Sequence, residues 1–189
     1  MADVSFDSKK AWAAWLAENH AASKGLWLRL AKKQKGLPGL ALSYAEALEV
    51  ALCYGWIDGQ KRRLDDSAWL QRFVPRGPRS IWSRINREKA EALLKSGAMQ
   101  PAGRLAVEQA RADGRWVAAY DPPSRAAVPP DLTAALARNA RARTFFATLD
   151  SRNRYSILFR LQTAKKPETR ARRLEEFVRM LAKGQKLHP

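Results

Sequence analysis

The sequence predicts an α+β fold, with a small antiparallel sheet and helices in the N-terminal part and an all-α bundle in the C-terminal part. Three observations carry this. Alternation of period two is confined to the first 75 residues, in "GLWLRLAKK" and "WIDGQKRRLDDSAWLQRFVPR". Helical periodicity with start and stop signals fills nearly all the rest. Four prolines in "DPPSRAAVPPD" interrupt that helical pattern. The expected boundaries are an N-terminal domain at 1–120, a proline-rich linker at 121–130 and a C-terminal helical domain at 131–189.

The elements follow in order. Residues 8 to 20 or so form an amphipathic helix with Trp12, Trp15 and Leu16 on one face. In the first strand Leu26, Leu28 and Leu30 alternate with Trp27, Arg29 and Ala31. "GLPG" makes a turn, and Ser43 with Glu46 three residues on is a capping-box signature opening the next helix. Tyr44, Ala47, Leu48 and Ala51 share a face of that helix, Cys53 lies in its last turn, and Gly55 suits the left-handed residue that ends it. Two short strands then pair with the first, the second carrying Trp69, Leu70 and Phe73 and ending at Pro75. "SIWSRINREKAEALLKSG" is a helix capped at Ser80 or Ser83 and closed by Gly97. Pro101 suits the first position of another helix reaching about Ala112. "DLTAALARNARARTFFATLD", "SRNRYSILFRLQTAKK" and "PETRARRLEEFVRMLAKG" make a bundle of three or four short helices, the last with an apolar stripe of Ala171, Leu174, Phe177, Val178 and Leu181.

The 35 Lys plus Arg against 18 Asp plus Glu give a net charge of +17. Such a balance favours anionic partners: nucleic acid, acidic lipid, a phosphorylated small molecule or an acidic protein. Two segments hold nearly all the excess, residues 60–90 with 9 cations against 3 acids and residues 138–189 with 14 against 4. One cysteine excludes an intramolecular disulfide framework, and with only His20 and His188 there is no Cys/His set of metal-ligand spacing. No cofactor motif occurs, neither GxxxxGK[ST] nor GxGxxG. The N-terminus lacks the apolar core and cleavage site of a signal peptide, and no apolar run approaches a spanning helix, so the expected location is the cytoplasm.

Catalytic candidates are sparse. Neither histidine sits in a plausible triad, and Cys53 at a helix C-terminus reads as a small buried residue. Asp58 reads as a turn or ion-pair residue rather than a general base. The best anion site is "RFVPRGPRSIWSRIN", where Arg72, Arg76, Arg79, Ser80, Ser83 and Arg84 place guanidiniums and hydroxyls near a helix start. Trp56, Asp58, Trp82 and Asn86 are candidate walls of the same pocket, with Trp69 beside them. For Trp56, Trp69 and Trp82 the competing reading is core. A second basic patch is "AKKPETRARR", with Lys165, Lys166, Arg170, Arg172 and Arg173 at a helix start, where cations oppose the helix dipole and an external anion would relieve them.

"ALCYGWIDG", "PRGPRSIWSRIN" and "AKKPETRARR" resemble the bacterial YdeI/OmpD-associated, or bacteriocin-protection, proteins over nearly the whole chain. The stretch from about 128 to 187 looks like the helical domain that defines the family. The resemblance implies a stress-protection theme, resistance to bacteriocins or cationic antimicrobial peptides, with a porin as partner in the founding case, and supplies no catalytic residues. A chain of +17 would repel a cationic peptide, so protection would be indirect. The expected function is a non-enzymatic binding module whose basic face holds an anionic partner such as nucleic acid. With roughly 6 phosphate contacts, affinity would fall about a thousandfold between 50 and 200 mM salt. The alternatives are an enzyme or receptor for a small anionic ligand near "PRGPRS", and a bundle that docks an acidic protein.

Overall fold

The computed structural model describes residues 3–32 and 41–189, so the turn expected at "GLPG" lies outside the described residues. The chain divides into two compact units. Unit 1 holds the residues up to Trp82 together with Asn86–Val117, and unit 2 holds Ser83–Ile85 with Ala118–Pro189.

Unit 1 is built on a four-stranded sheet in the order β1-β2-β4-β3, comprising β1 (Asp3–Val4), β2 (Leu26–Ala31), β3 (Trp56–Arg63) and β4 (Ala68–Pro75). β1 runs parallel to β2, and the other pairings are antiparallel. Register sets the two faces. Leu26, Leu28 and Leu30 stand opposite Phe73, Gln71 and Trp69, while Trp27, Arg29 and Ala31 stand opposite Arg72, Leu70 and Ala68. A bulge between Asp58 and Lys61 interrupts the β3–β4 ladder. Gln71, 3 % exposed, fills it by donating its amide to the carbonyls of Gly59 (2.9 Å) and Gln60 (3.2 Å).

The Leu26/Phe73 face is covered by α1 (Lys9–Asn19) and α2 (Tyr44–Cys53). Trp12 packs on Phe73 at 5.8 Å and stacks on Trp15 at 5.5 Å, and Trp56 meets both indoles edge-on. In this cluster the indole N–H groups of Trp12 and Trp56 donate to the backbone carbonyls of Ala47 and His20, both at 3.1 Å. Ser8 caps α1, and the Ser43–Glu46 capping box opens α2 in both directions. Gly55 ends α2 in the left-handed region at φ 73°. α3 (Arg84–Lys95) and α4 (Pro101–Ala112) follow, and α4 lies so close to α2 that a Cβ on Gly103 would collide with the Cys53 carbonyl.

Unit 2 contains α5 (Pro130–Ala137), α6 (Ala140–Ala147), α7 (Ser151–Gln162) and α8 (Pro167–Ala182). "DLTAALARNARARTFFATLD" is split in two at Asn139, whose side chain accepts from the Ala142 N–H and starts a new helix. Leu132, Leu136, Phe146, Ile157, Leu161, Phe177 and Leu181 form the core, with Ala126 and Val128 of the proline-rich stretch laid against it. Asn153 is fully buried and fully used: it bonds Asp150, and its amide exchanges bonds with the backbone of His188.

Candidate functional site

The "PRGPRS" segment is held by its own side chains. Gly77 and Ser80 close a tight turn, with the Ser80 N–H donating to the Gly77 carbonyl and the Gly77 N–H donating to Ser80 Oγ, each at 3.0 Å. The Arg76 guanidinium lies 3.5 Å over the Trp82 ring and donates to the Ile81 carbonyl. Trp82 meets Trp116 edge-on at 4.8 Å, and Arg111 covers the far ring at 5.3 Å. Two edge-to-face indoles are thus flanked by a cation on each outer side, an arrangement that strengthens as water is excluded. Trp82 is 1 % exposed, and its N–H finds no hydrogen-bond partner among the described residues. Arg115 clamps the turn, donating to the Ser80 carbonyl at 2.9 Å while pairing with Asp113. Arg79 is exposed and, among the described residues, makes no hydrogen bond or ion pair.

Trp56 pairs with Pro75 at the start of this turn, and most of the other candidates are held by contacts of their own. Within unit 2, Arg84 pairs with Asp121 at 3.0 Å, and its N–H donates to Tyr120, whose strand-like partner is Ser83. Tyr155 donates to the Asp121 carbonyl, and burial pushes its phenol up to about 12. Asn86 is buried in α3, and Trp56 belongs to the Trp12 cluster. Asp58 accepts from the Tyr44 hydroxyl at 2.8 Å, and Tyr44 rests on Trp69 at 5.7 Å. Burial holds the Cys53 thiol above its ordinary value, which suppresses the reactive thiolate.

The arginines at the start of α8 find partners inside unit 2. Arg170 forks onto both oxygens of Asp131 (2.7 and 2.9 Å) and donates to the Leu161 carbonyl, while Arg173 donates to the Arg160 carbonyl. Leu161 and Arg160 are in the last turn of α7, whose terminal carbonyls have no intrahelical donor. The guanidiniums that oppose the dipole of α8 therefore satisfy the negative end of α7. Arg172 faces Glu176 at 3.9 Å on the surface, and Lys165 and Lys166 are exposed. Ser156 Oγ lies 3.0 Å from His188 Nε2, but among the described residues no carboxylate orients that ring, so no triad is assembled.

Three guanidiniums, one of them paired with a carboxylate, gather on the face of the sheet opposite α1 and α2. Arg72 stands across from Trp27, and both Arg29 and Arg62 stand across from Leu70, so arginines from three strands share one face. Arg62 lies 4.3 Å over the Trp27 ring. Trp27 and Leu70 are each only 6 % exposed, as expected where arginine stems lie flat on apolar surface. The Nε atoms of Arg29 and Arg72 are buried without a hydrogen-bond partner among the described residues. Asp3 at the β1 edge, in register with Trp27, and Asp65, 3.7 Å from Arg29, mark the margin. Hydrogen bonds from Ser67 and the Ala68 N–H hold the Asp65 carboxyl down at about 2, so it stays charged. Arg72 is the one member of this group among the sequence candidates. The sequence signal for the others was the alternation of Trp27 with Arg29, which acquires meaning only once β4 is known to lie between β2 and β3.

Residues 4–106 match a family model described as a domain of unknown function (DUF8412), which covers more than half of the chain. The chain belongs to the DUF8412 family. In this DUF8412 protein residues 125–184 also match the model described as bacteriocin-protection, YdeI or OmpD-associated, and that domain falls within unit 2. No curated protein and no solved structure matches the chain. Among the described residues of the DUF8412 protein no helix is long and apolar enough to cross a membrane, and no three His, Cys, Asp or Glu side chains are grouped to hold a metal ion.

Proposed function

We propose that the chain is a non-enzymatic binding module that holds nucleic acid by its phosphates on the arginine-covered face of the sheet in unit 1. The observation behind this reading is the meeting of Arg29, Arg62 and Arg72 around Trp27. Guanidiniums grip phosphate oxygens bidentately, and a row of them across neighbouring strands suits a repeating anion better than a single small one. Trp27 adds a stacking surface that a base reaches only by displacing Arg62, so a single strand with unstacked bases is the better-fitting ligand. On this reading the protein works in the cytoplasm. The bacteriocin protection named for the C-terminal domain is then indirect, because a net charge of +17 repels a cationic peptide.

The test is fluorescence anisotropy of labelled single-stranded DNA and RNA oligonucleotides at 50 mM salt. Binding is expected, weakened about tenfold or more by the double variant Arg62→Gln, Arg72→Gln and unchanged within about twofold by Arg138→Gln, Arg179→Gln on unit 2. A flat titration with both polymers, or equal losses in the two variants, would overturn the assignment.

A further inference from the structure

We propose that a groove between α5 and α8, wholly within unit 2, docks an amphipathic helix with an acidic rim. The groove encloses about 650 Å³, within the range of roughly 300 to 1,000 Å³ typical of ligand clefts. Its floor is made by Leu174 and Val178, whose inner sides pack on the core of the unit while the rest of each side chain faces the groove. Ala135 on α5, with Ala171 and Ala182 on α8, keeps the walls low. A second backbone can approach closely over such small side chains, as it could not over leucines. From Ala171 to Ala182 the floor runs roughly 16 Å, three turns of helix, which suits a partner presenting apolar residues at i, i+3 or i+4, and i+7.

Charge selects the partner's sign. Arg138 and Arg179 stand on the rim, both exposed, against the single carboxylate of Glu175. Among the described residues neither arginine is drawn into an internal contact of the kind that occupies Arg170 and Arg173. The surrounding unit carries 16 Lys plus Arg against 6 Asp plus Glu, so a basic helix would be repelled and an acidic one attracted. The proposal is independent of the nucleic-acid reading, because it uses other residues in the other unit.

The probe is a synthetic 15-residue peptide with leucines at i, i+3/i+4 and i+7 and glutamates elsewhere, titrated into the full chain and followed by anisotropy and by amide NMR shifts. Two control peptides accompany it, one of scrambled order and one with lysine for glutamate. Saturable binding at least tenfold tighter than either control, with shifts confined to α5 and α8, is the expected result. Ala171→Glu should abolish it, because that exposed alanine lines the groove and glutamate leaves the helix intact. Arg138→Glu with Arg179→Glu should transfer the preference to the lysine peptide, while Arg62→Gln with Arg72→Gln should change nothing. Equal binding of the scrambled peptide would reduce the effect to net charge and overturn the proposal, as would no binding at all. Self-association that disappears in Ala171→Glu would give the groove to a second copy of this chain and overturn it equally.

Discussion

Gly103 lies in the middle of a face of α4 where the absence of a Cβ lets the helix backbone rest on the carbonyl that ends α2. That carbonyl, on Cys53, is itself fixed by the Gln100 N–H at 3.1 Å, and the Met99 sulfur closes the other side. Gly103→Ala should gain about 1 kcal/mol of helix propensity and lose about 3 kcal/mol or more to the collision, because the obstacle is backbone and cannot rotate away. A net loss near 2 kcal/mol lowers Tm by roughly 4 to 8 °C in a chain of this size, measurable by calorimetry. An unchanged Tm would mean that α4 shifts off α2 without penalty. Asp131 presents the electrostatic counterpart. The Arg170 fork holds its carboxyl below the ordinary value of 3.8. A native value below the unfolded one contributes stability at pH above 3.8, and that contribution fades as pH falls through the depressed native value. Both side chains are about a third exposed, 37 % for Asp131 and 31 % for Arg170, so the share is discounted to about 1 kcal/mol. Asp131→Asn should therefore be about 1 kcal/mol less stable at pH 7 in urea titrations, with the gap to the parent closing in acid. A gap that persisted at pH 2 would assign the loss to packing.

At the scale of elements, the parts legible in the sequence are those whose signals are local. Ser43 and Glu46 are three residues apart and form the reciprocal cap that their spacing predicts, with the Ser43 N–H 2.9 Å from the glutamate. Removing the hydroxyl in Ser43→Ala should cost about 1 kcal/mol, read as a small drop in Tm with no change in far-ultraviolet spectrum. A neutral outcome would show that Glu46 holds the helix start unaided. The same locality explains Gly55, Pro101 and the alternation in β2. It also explains two omissions. β1 is two residues long, too short for a period, and exists only because it pairs with Trp27 and Leu28. The division of α5 from α6 rests on one asparagine side chain within an otherwise continuous helical pattern. The candidate site was legible only in part for a related reason. "PRGPRS" is dense in guanidinium, but sequence does not say which ends are consumed, and Arg76 and Ser80 are engaged in building their own turn. Arg170 and Arg173 likewise look unfavourable at the start of α8 until the carbonyls of α7 lie beside them. The meeting of Trp27, Arg29 and Arg62 depends on strand order, which is not a local property.

Over the whole molecule, net charge and the proposed site make different demands. Counting the sequence by unit, unit 1 has 19 Lys plus Arg against 12 Asp plus Glu, a net of +7, and unit 2 has 16 against 6, a net of +10. If bulk charge drove association, the more basic unit 2 would contribute most of the contacts, and the number of phosphates neutralised would be large. Six contacts on a single strand give a slope of log K against log salt near −4, a loss of several hundredfold between 50 and 200 mM. The sheet face instead offers Arg29, Arg62 and Arg72. Three contacts at about 0.7 each give a slope near −2, and a loss of only about twentyfold over the same interval. Removing Arg62 and Arg72 together should flatten the slope to about −0.7, because one contact remains, whereas substituting cations on unit 2 should leave it near −2. Anisotropy titrations at four salt concentrations measure these slopes directly. A slope of −4 or steeper that is indifferent to Arg62 and Arg72 would return the binding to diffuse charge, and the arginines over Trp27 would then serve only to cover the apolar side of the sheet.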